Sequence, residues 1–259
     1  MMMNKVSPLK TVAFVSLSLC AASIAGAQQK TDAQQAPVAQ AAQLVLEKGQ
    51  YLSIIMPETR TSEEATKARQ NYYKSAFPLG SQFGLNRETA LKIDNAIISD
   101  YKPSAVIFFS YPDKQSEAGL AAHPKWPAIK ATRPSIWKEL NIFSSELTEN
   151  LNITFDPTKS YTLVIAWKKD EDPEGYDKYL KGIEPAVERF GGKFIYKMFN
   201  PASETNTPSA TAPSQLTFVE WDSLDGFAKV QASDEYKASV PYFQSGVKKL
   251  EFYRMSVPQ

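Results

Sequence analysis

Three side chains of this 259-residue sequence could act in acid–base or anion-binding chemistry: His123, Arg133 and Glu220. His123 is the only histidine, so it is the one imidazole available as a general base. Arg133 could clamp a ligand carboxylate through the planar fork of its guanidinium donors. Glu220 shares an apolar strand face by period-two alternation, where a desolvated carboxylate suits proton abstraction. The alternatives are a helix-capping or solvated histidine, a surface ion pair, and a strand end that emerges into solvent.

Six aromatic side chains with polar tips are candidates for the walls of a ligand pocket. Aromatic rings of this kind combine a large apolar body with one hydrogen-bonding group. The alternative is that they pack in the core or at an interface. The six are Tyr51, Tyr111, Trp126, Tyr161, Trp221 and Tyr236.

The sequence has few residues of the types that bind metals or cofactors. There is one histidine, and the single cysteine, Cys20, lies close to the amino terminus. No pair of residues has the spacing of a metal site, and no glycine-rich phosphate loop or nucleophile elbow is found. The sequence therefore predicts no metal, no cofactor, and neither hydrolytic nor nucleotide chemistry.

The first residues have the three parts of a secretory signal peptide. Lys5 and Lys10 precede an apolar stretch over residues 12–24, and Ala25-Gly26-Ala27 supplies the small residues that signal peptidase requires. We expect cleavage after Ala27, removal of residues 1–27, and a periplasmic or secreted protein. No later segment is long enough to predict a membrane span.

The charge composition limits which classes of partner the rest of the chain can bind. The whole sequence has 29 Lys and Arg against 28 Asp and Glu, with no basic cluster. Near-neutral charge argues against nucleic acid and anionic lipid as main partners. Residues 28–48 begin with a Gln- and Ala-rich stretch and are predicted to form a flexible tether.

An internal repeat organises the rest of the sequence into two halves, residues 49–150 and 151–259. A shift of 110 residues aligns Tyr51–Ile55 with Tyr161–Ile165 and Phe108 with Phe218, and a shift of 111 aligns Gly80 with Gly191. The same shift of 110 pairs Tyr111 with Trp221, Leu120 with Val230, Trp126 with Tyr236 and Leu140 with Leu250. A shift held over so long a stretch predicts a tandem duplication.

Each half follows the order strand, helix, strand, strand, helix, strand. In the second half Asp172 is an expected N-cap before Pro173, Gly191 ends the first helix, and residues 201–214 form a loop. The order βαββαβ predicts an α+β protein with two tandem ferredoxin-like repeats. Two such units can cover each other's open sheet faces, so we expect a pseudo-dimeric α/β barrel with a cavity between the sheets.

At this level the second half resembles a known family. Its Asp172-Pro173-Glu174, Gly191-Gly192-Lys193-Phe194, Val219-Glu220-Trp221 and Ser233-Asp234-Glu235-Tyr236 motifs are similar to a small bacterial family of uncharacterised function. That family belongs to the dimeric α/β-barrel superfamily, which also contains the antibiotic-biosynthesis monooxygenases. The resemblance covers roughly residues 160–255.

The resemblance implies a cavity between sheet and helices that accepts a small, often aromatic or oxygenated, organic molecule. In the family an arginine commonly follows the aromatic residue of the last motif by seven positions. Here Phe243 stands seven residues after Tyr236, whereas Arg133 stands seven residues after Trp126 in the first half. If either half keeps a polar site, the first is therefore favoured, and the sequence leaves open which half carries it.

These observations predict an exported protein that binds a small organic molecule. One alternative is a cofactor-independent monooxygenase or proton-transfer enzyme that acts on a small aromatic or oxygenated compound. A second alternative is an interaction protein of the cell envelope. The identity of the ligand, any catalysis, and association into a homodimer are left open by the sequence.

Overall fold

The computed structural model describes residues 41–206 and 210–258, so the predicted signal peptide and residues 28–40 of the predicted tether lie outside the described residues. The first βαββαβ unit consists of β2 (Tyr51–Thr59), α1 (Glu63–Ser81), β3 (Asn86–Ile98), β4 (Ala105–Tyr111), α2 (Lys114–Ala122), α3 (Trp126–Lys130), a 3-10 turn (Arg133–Ser135) and β5 (Trp137–Glu146). The second consists of β7 (Ser160–Lys168), α4 (Gly175–Arg189), β8 (Gly192–Phe199), β9 (Ala202–Thr205), β10 (Gln215–Trp221), α5 (Gly226–Ala232), α6 (Asp234–Gly246) and β11 (Val247–Ser256). Two short strands, β1 (Ala42–Leu46) and β6 (Leu151–Phe155), precede the units.

Nine strands form one antiparallel sheet in the order β8-β10-β7-β11-β3-β4-β2-β5-β9. Within each unit the first strand lies between the fourth and the third, as in a ferredoxin-like sheet. The two end strands β8 and β9 are consecutive in the chain and are separated only by Asn200, whose φ is 43°, and Pro201. Asparagine tolerates this left-handed conformation better than most residues. The chain itself thus closes the series into a barrel, which confirms the predicted fold class.

The barrel interior is filled by side chains from both units. Phe108 of β4 and Phe218 of β10 lie with ring centroids 5.7 Å apart, and Phe155 of β6 lies 5.7 Å from Phe108. All three side chains are at most 1% exposed. The prediction of a cavity between the two sheets was therefore wrong, because inward-facing side chains of opposite strands meet in a packed core.

The two-stranded sheet of β1 and β6 corrects the predicted tether. Residues Ala42–Leu46 pair with Leu151–Phe155 and bury Leu44 and Leu46, so the tether predicted over residues 28–48 extended too far. Alternation of buried and exposed residues in β1 is the period-two pattern of a half-covered strand. Among the described residues, no helix has both the length and the apolar character needed to cross a membrane.

Strand register corrects one alignment between the two halves. Tyr111 pairs with Tyr51, and the equivalent Trp221 pairs with Ser160 rather than with Tyr161. The first strands are therefore related by a shift of 109 residues. Since a one-residue slip turns a strand side chain to the other face, Tyr51 faces the helices and Tyr161 faces the barrel interior.

Two local predictions in the second unit also differ from the structure. The helix α4 begins at Gly175 with Glu174 at the N-cap, whereas Asp172 accepts a hydrogen bond from the hydroxyl of Ser245. The stretch 201–214 contains strand β9, because the edge of β5 offers it backbone partners. The end of α4 at Gly191, with φ of 74°, is confirmed.

Candidate functional site

A cavity of about 540 Å³ lies between the helices and the sheet of the first unit. This volume falls within the roughly 300–1,000 Å³ typical of small-molecule sites. Three isoleucines form the floor: Ile55 of β2 pairs with Ile107 of β4 on one side and with Ile142 of β5 on the other. All three are only half buried, because their side chains face the cavity.

The cavity exists because the second helical stretch of the first unit is broken. In the second unit, α6 runs for 13 residues and packs along α4. The corresponding chain of the first unit contains a five-residue helix, α3, and a 3-10 turn, with Pro127 and Pro134 at their first turns. Proline lacks an N–H donor and fixes φ, so it favours short helices that start again. A gap between α1 and the sheet remains.

Aromatic rings form one wall of this cavity. Tyr73 and Phe77 of α1 are stacked with centroids 5.1 Å apart, and Phe77 stacks on Phe109 of β4 at 6.1 Å. Tyr72 meets Trp137 edge to face at 5.1 Å. Tyr73 and Phe77 remain 37% and 39% exposed. Large rings left partly uncovered beside a cavity offer stacking surface to a flat ligand.

Arg133 is the buried cation of the cavity. The residue is only 8% exposed, and its guanidinium carbon lies 5.4 Å from the ring centroid of Trp126 and 5.8 Å from that of Tyr72. Its Nε donates to the Tyr72 hydroxyl at 3.1 Å. Cation–π contacts and this hydrogen bond hold the guanidinium at the cavity wall. An arginine so placed suits recognition of an oxygen-bearing ligand.

The second unit contributes the counter-ion. Nη1 of Arg133 donates to Oε1 of Glu204 on β9, and Nζ of Lys130 lies 2.9 Å from the same oxygen. Ala202 and Ser203 of β9 line the cavity beside Glu204. The site is therefore assembled from both units, because closure of the barrel carries β9 onto the edge of β5.

Tyrosine hydroxyls and one carboxylate complete the polar lining. Desolvation by burial raises the pKa of Tyr51, Tyr72, Tyr73 and Tyr111, so these hydroxyls stay protonated and can donate hydrogen bonds. Glu117 of α2 has its pKa raised, first by desolvation and then by the charge of Glu204, while Lys130 and Lys114 oppose the shift. Glu117 is thus the carboxyl of the cavity best suited to hold or accept a proton.

The structure brings four of the predicted site residues to this cavity: Tyr51, Tyr111, Trp126 and Arg133 all line it. All four belong to the first unit. Tyr51 and Tyr111 face each other across β2 and β4, and Trp126 contacts the guanidinium from α3.

Two predicted catalytic residues lie away from the cavity. The Nδ1 atom of His123 accepts a hydrogen bond from the backbone N–H of Lys125 at 3.2 Å, and the imidazole contacts the ring of Phe83, so this histidine caps a turn. Glu220 accepts a hydrogen bond from the Tyr161 hydroxyl at 3.1 Å in the second unit. A role for either in the chemistry of this cavity is not supported by its position.

Three of the predicted aromatic residues are packing residues of the second unit. Tyr161 is fully buried and points into the barrel interior, where its ring meets Phe155. Tyr236 meets Tyr179 edge to face between the helices. Trp221 is buried, and its indole N–H donates to Thr162 Oγ1 at 2.9 Å. Their hydroxyl and indole groups are engaged within the fold.

A smaller cavity of about 230 Å³ occupies the equivalent place in the second unit. In the strand pairings, Trp221 of the second unit takes the place that Tyr111 has in the first unit. Phe227 of α5 likewise takes the place that Glu117 has in α2. Phe227 lies 6.2 Å from Trp221 and 4.8 Å from Phe252, so three rings fill most of this space. Apolar rings therefore stand in the second unit where the larger cavity has Tyr111 and Glu117.

Sequence reasoning missed several residues of the larger cavity. Glu204 fell within a presumed loop, and only its pairing with β5 reveals its place. Glu117 and Phe77 lie on helices whose hydrophobic patterns are weak, and no motif marks them. No cluster of three or more His, Cys, Asp or Glu residues able to hold a metal occurs in residues 41–206 and 210–258.

Comparison with known proteins gives one family match and several structures of similar fold. Residues 161–249 match the model of a family described as a domain of unknown function, DUF1330. No curated protein matches the sequence. An anthrone oxidase-like protein of known structure is 13% identical with a TM-score of 0.53, and the alignment covers 84% of this chain and 94% of that chain.

Two other solved structures are similar at lower scores. A candidate monooxygenase from Lactobacillus acidophilus is 12% identical, with a TM-score of 0.41 over 80% of this chain and 93% of that chain. A mutant chlorite dismutase from Candidatus Nitrospira defluvii is 10% identical, with a TM-score of 0.42 over 82% and 93%. At 10–13% identity, the likeness to these solved structures concerns the fold alone.

Proposed function

We propose that this chain is an exported protein that binds a small aromatic or oxygenated organic molecule in the cavity of its first unit. The observation that carries the proposal is the union of stacked rings, tyrosine hydroxyls and a buried guanidinium around about 540 Å³ of space. Rings supply apolar contact, and the few polar groups fix orientation. The sequence of residues 1–27 supports export, since it has the parts of a cleavable signal peptide.

A ligand that occupies this cavity should stabilise the folded chain. With 2-naphthol or 1,4-naphthoquinone at 100 times its dissociation constant, the gain is about 2.7 kcal/mol. For a chain of this size that corresponds to a melting temperature higher by roughly 5–10 °C. Thermal denaturation of the wild type with and without each compound measures this rise in melting temperature.

Two matched variants locate the binding. Ile107→Trp places a bulky ring on the floor of the cavity and should remove the stabilisation by either compound. Ala228→Trp places the same ring in the smaller cavity of the second unit and should leave the stabilisation intact. An unchanged melting temperature of the wild type with both compounds would contradict the proposal, as would equal stabilisation of the Ile107→Trp variant.

The position of Glu117 favours a second candidate function, a cofactor-independent oxidase or monooxygenase. Its raised pKa, caused mainly by desolvation, suits acceptance of a proton from a phenolic hydroxyl. A reduced polyphenol would then pass two protons and two electrons to dioxygen, to give a quinone and hydrogen peroxide. We expect oxygen uptake with such a polyphenol to fall about 100-fold in Glu117→Gln. Equal uptake by wild type and variant would exclude this candidate in its Glu117-dependent form.

A further inference from the structure

More basic than acidic side chains line the cavity. Arg87, Lys130 and Arg133 line it together with only two carboxylates, Glu117 and Glu204. A cavity with an excess of positive charge favours an anionic occupant over a neutral one of equal shape.

Arg133 is the fixed member of the ion pair, and Glu204 is the exchangeable one. The arginine side chain is 10% exposed and held between two rings, whereas the side chain of Glu204 is 42% exposed and belongs to the four-residue strand β9. Within the described parts of the chain, the guanidinium uses Nε and Nη1 for its hydrogen bonds. A ligand oxygen can therefore approach the guanidinium from the cavity side.

Lys130 provides Glu204 with a second partner. Its ammonium lies 2.9 Å from the same carboxylate oxygen that binds Arg133. If a ligand takes the place of Glu204 at the guanidinium, Glu204 keeps its partly exposed ion pair with Lys130. After this exchange, the ligand carboxylate is paired with Arg133 and Glu204 is paired with Lys130. Breaking the partly buried Arg133–Glu204 ion pair therefore leaves no charge unpaired, and the usual free-energy cost of doing so is avoided.

We propose, on the basis of the proposed binding function, that the ligand is an aromatic monocarboxylate whose carboxylate replaces Glu204 at Arg133. The flat ring system lies against Tyr73, Phe77 and Phe109, and the carboxylate meets the guanidinium between Tyr72 and Trp126. Glu204 is then an internal competitor that lowers the affinity for the anion. Its removal should strengthen binding.

Calorimetric titration with 2-naphthoate and 2-naphthamide tests the inference, since the two probes share one shape and differ in charge. We expect the wild type to bind naphthoate about tenfold more tightly, because hydrogen bonds to a charged acceptor are stronger. Glu204→Gln should strengthen naphthoate binding by a further factor of about three to ten and change naphthamide binding by less than about twofold. Glu184→Gln, an exposed carboxylate of α4, should change neither affinity.

The outcomes separate this inference from the function on which it rests. Equal affinity for the two probes, or weaker naphthoate binding by Glu204→Gln, overturns the inference. The binding function itself survives in that case if neutral naphthol or naphthoquinone still stabilises the protein. A chain that binds none of these compounds overturns both.

Discussion

Replacing Phe155 with alanine is expected to lower the free energy of unfolding by about 3–5 kcal/mol. The side chain is fully buried, and its ring lies 5.7 Å from that of Phe108 in the first unit and 5.3 Å from that of Tyr161 in the second. Phe155 thus joins the two units through one core. The surrounding strands are hydrogen-bonded on both sides, so the barrel cannot collapse into the space that the ring leaves. Urea denaturation followed by circular dichroism measures the loss.

Phe199→Ala is the matched control, because it removes the same ring from a position that is 54% exposed. Its effect should stay within about 0.5 kcal/mol. Both variants should unfold in one transition, since a core shared by the two units makes them one cooperative structure. A loss below about 1 kcal/mol in Phe155→Ala, or two separate transitions in the wild type, would contradict the shared core.

The order of strands and helices was predictable because it is encoded locally. The β-branched and aromatic run Tyr161–Trp167, the serine cap at Ser62 and the glycine at Gly191 each depend on neighbours a few residues away. The topology then follows from the order βαββαβ, which has few ways to form one covered sheet. Fold class was therefore accessible from the sequence.

Features that depend on distant partners were not predictable in the same way. The strand β9 is four residues long and lacks an apolar alternation, and it becomes a strand only because β5 presents an open edge. The side that Tyr161 faces depends on a register that differs by one residue from the sequence alignment. Filling of the barrel interior depends on how rings from Phe108, Phe155 and Phe218 fit together.

The members of the candidate site were only partly predictable from the sequence. Arg133 marked the first unit because an arginine at that offset from an aromatic residue has no counterpart in the second. Tyr51, Tyr111 and Trp126 followed from their aromatic type at aligned positions. Glu204 comes from the other unit, so nothing near it in the sequence indicates its contact with Arg133.

The difference between the two units depends on how closely their helices pack. In the second unit α4 and α6 approach until their backbones touch, since a Cβ atom on Gly246 would lie 2.4 Å from the Tyr176 nitrogen and 2.7 Å from Gly175. Tyr179 and Phe243 then fill the space above the sheet, with ring centroids 5.1 Å apart. In the first unit Ile136 takes the position of Gly246, and the helices stay apart around the cavity.

Gly246→Ala is therefore expected to lower the free energy of unfolding by about 1–3 kcal/mol, although alanine is the better helix former. The added methyl group meets backbone atoms, which cannot rotate away, so α6 must move off α4. Gly119→Ala in α2 is the matched control, because its methyl group would meet only the ring of Phe83. Urea denaturation of both variants measures the difference, and a Gly246→Ala protein as stable as the wild type would show that glycine contact does not close the second unit.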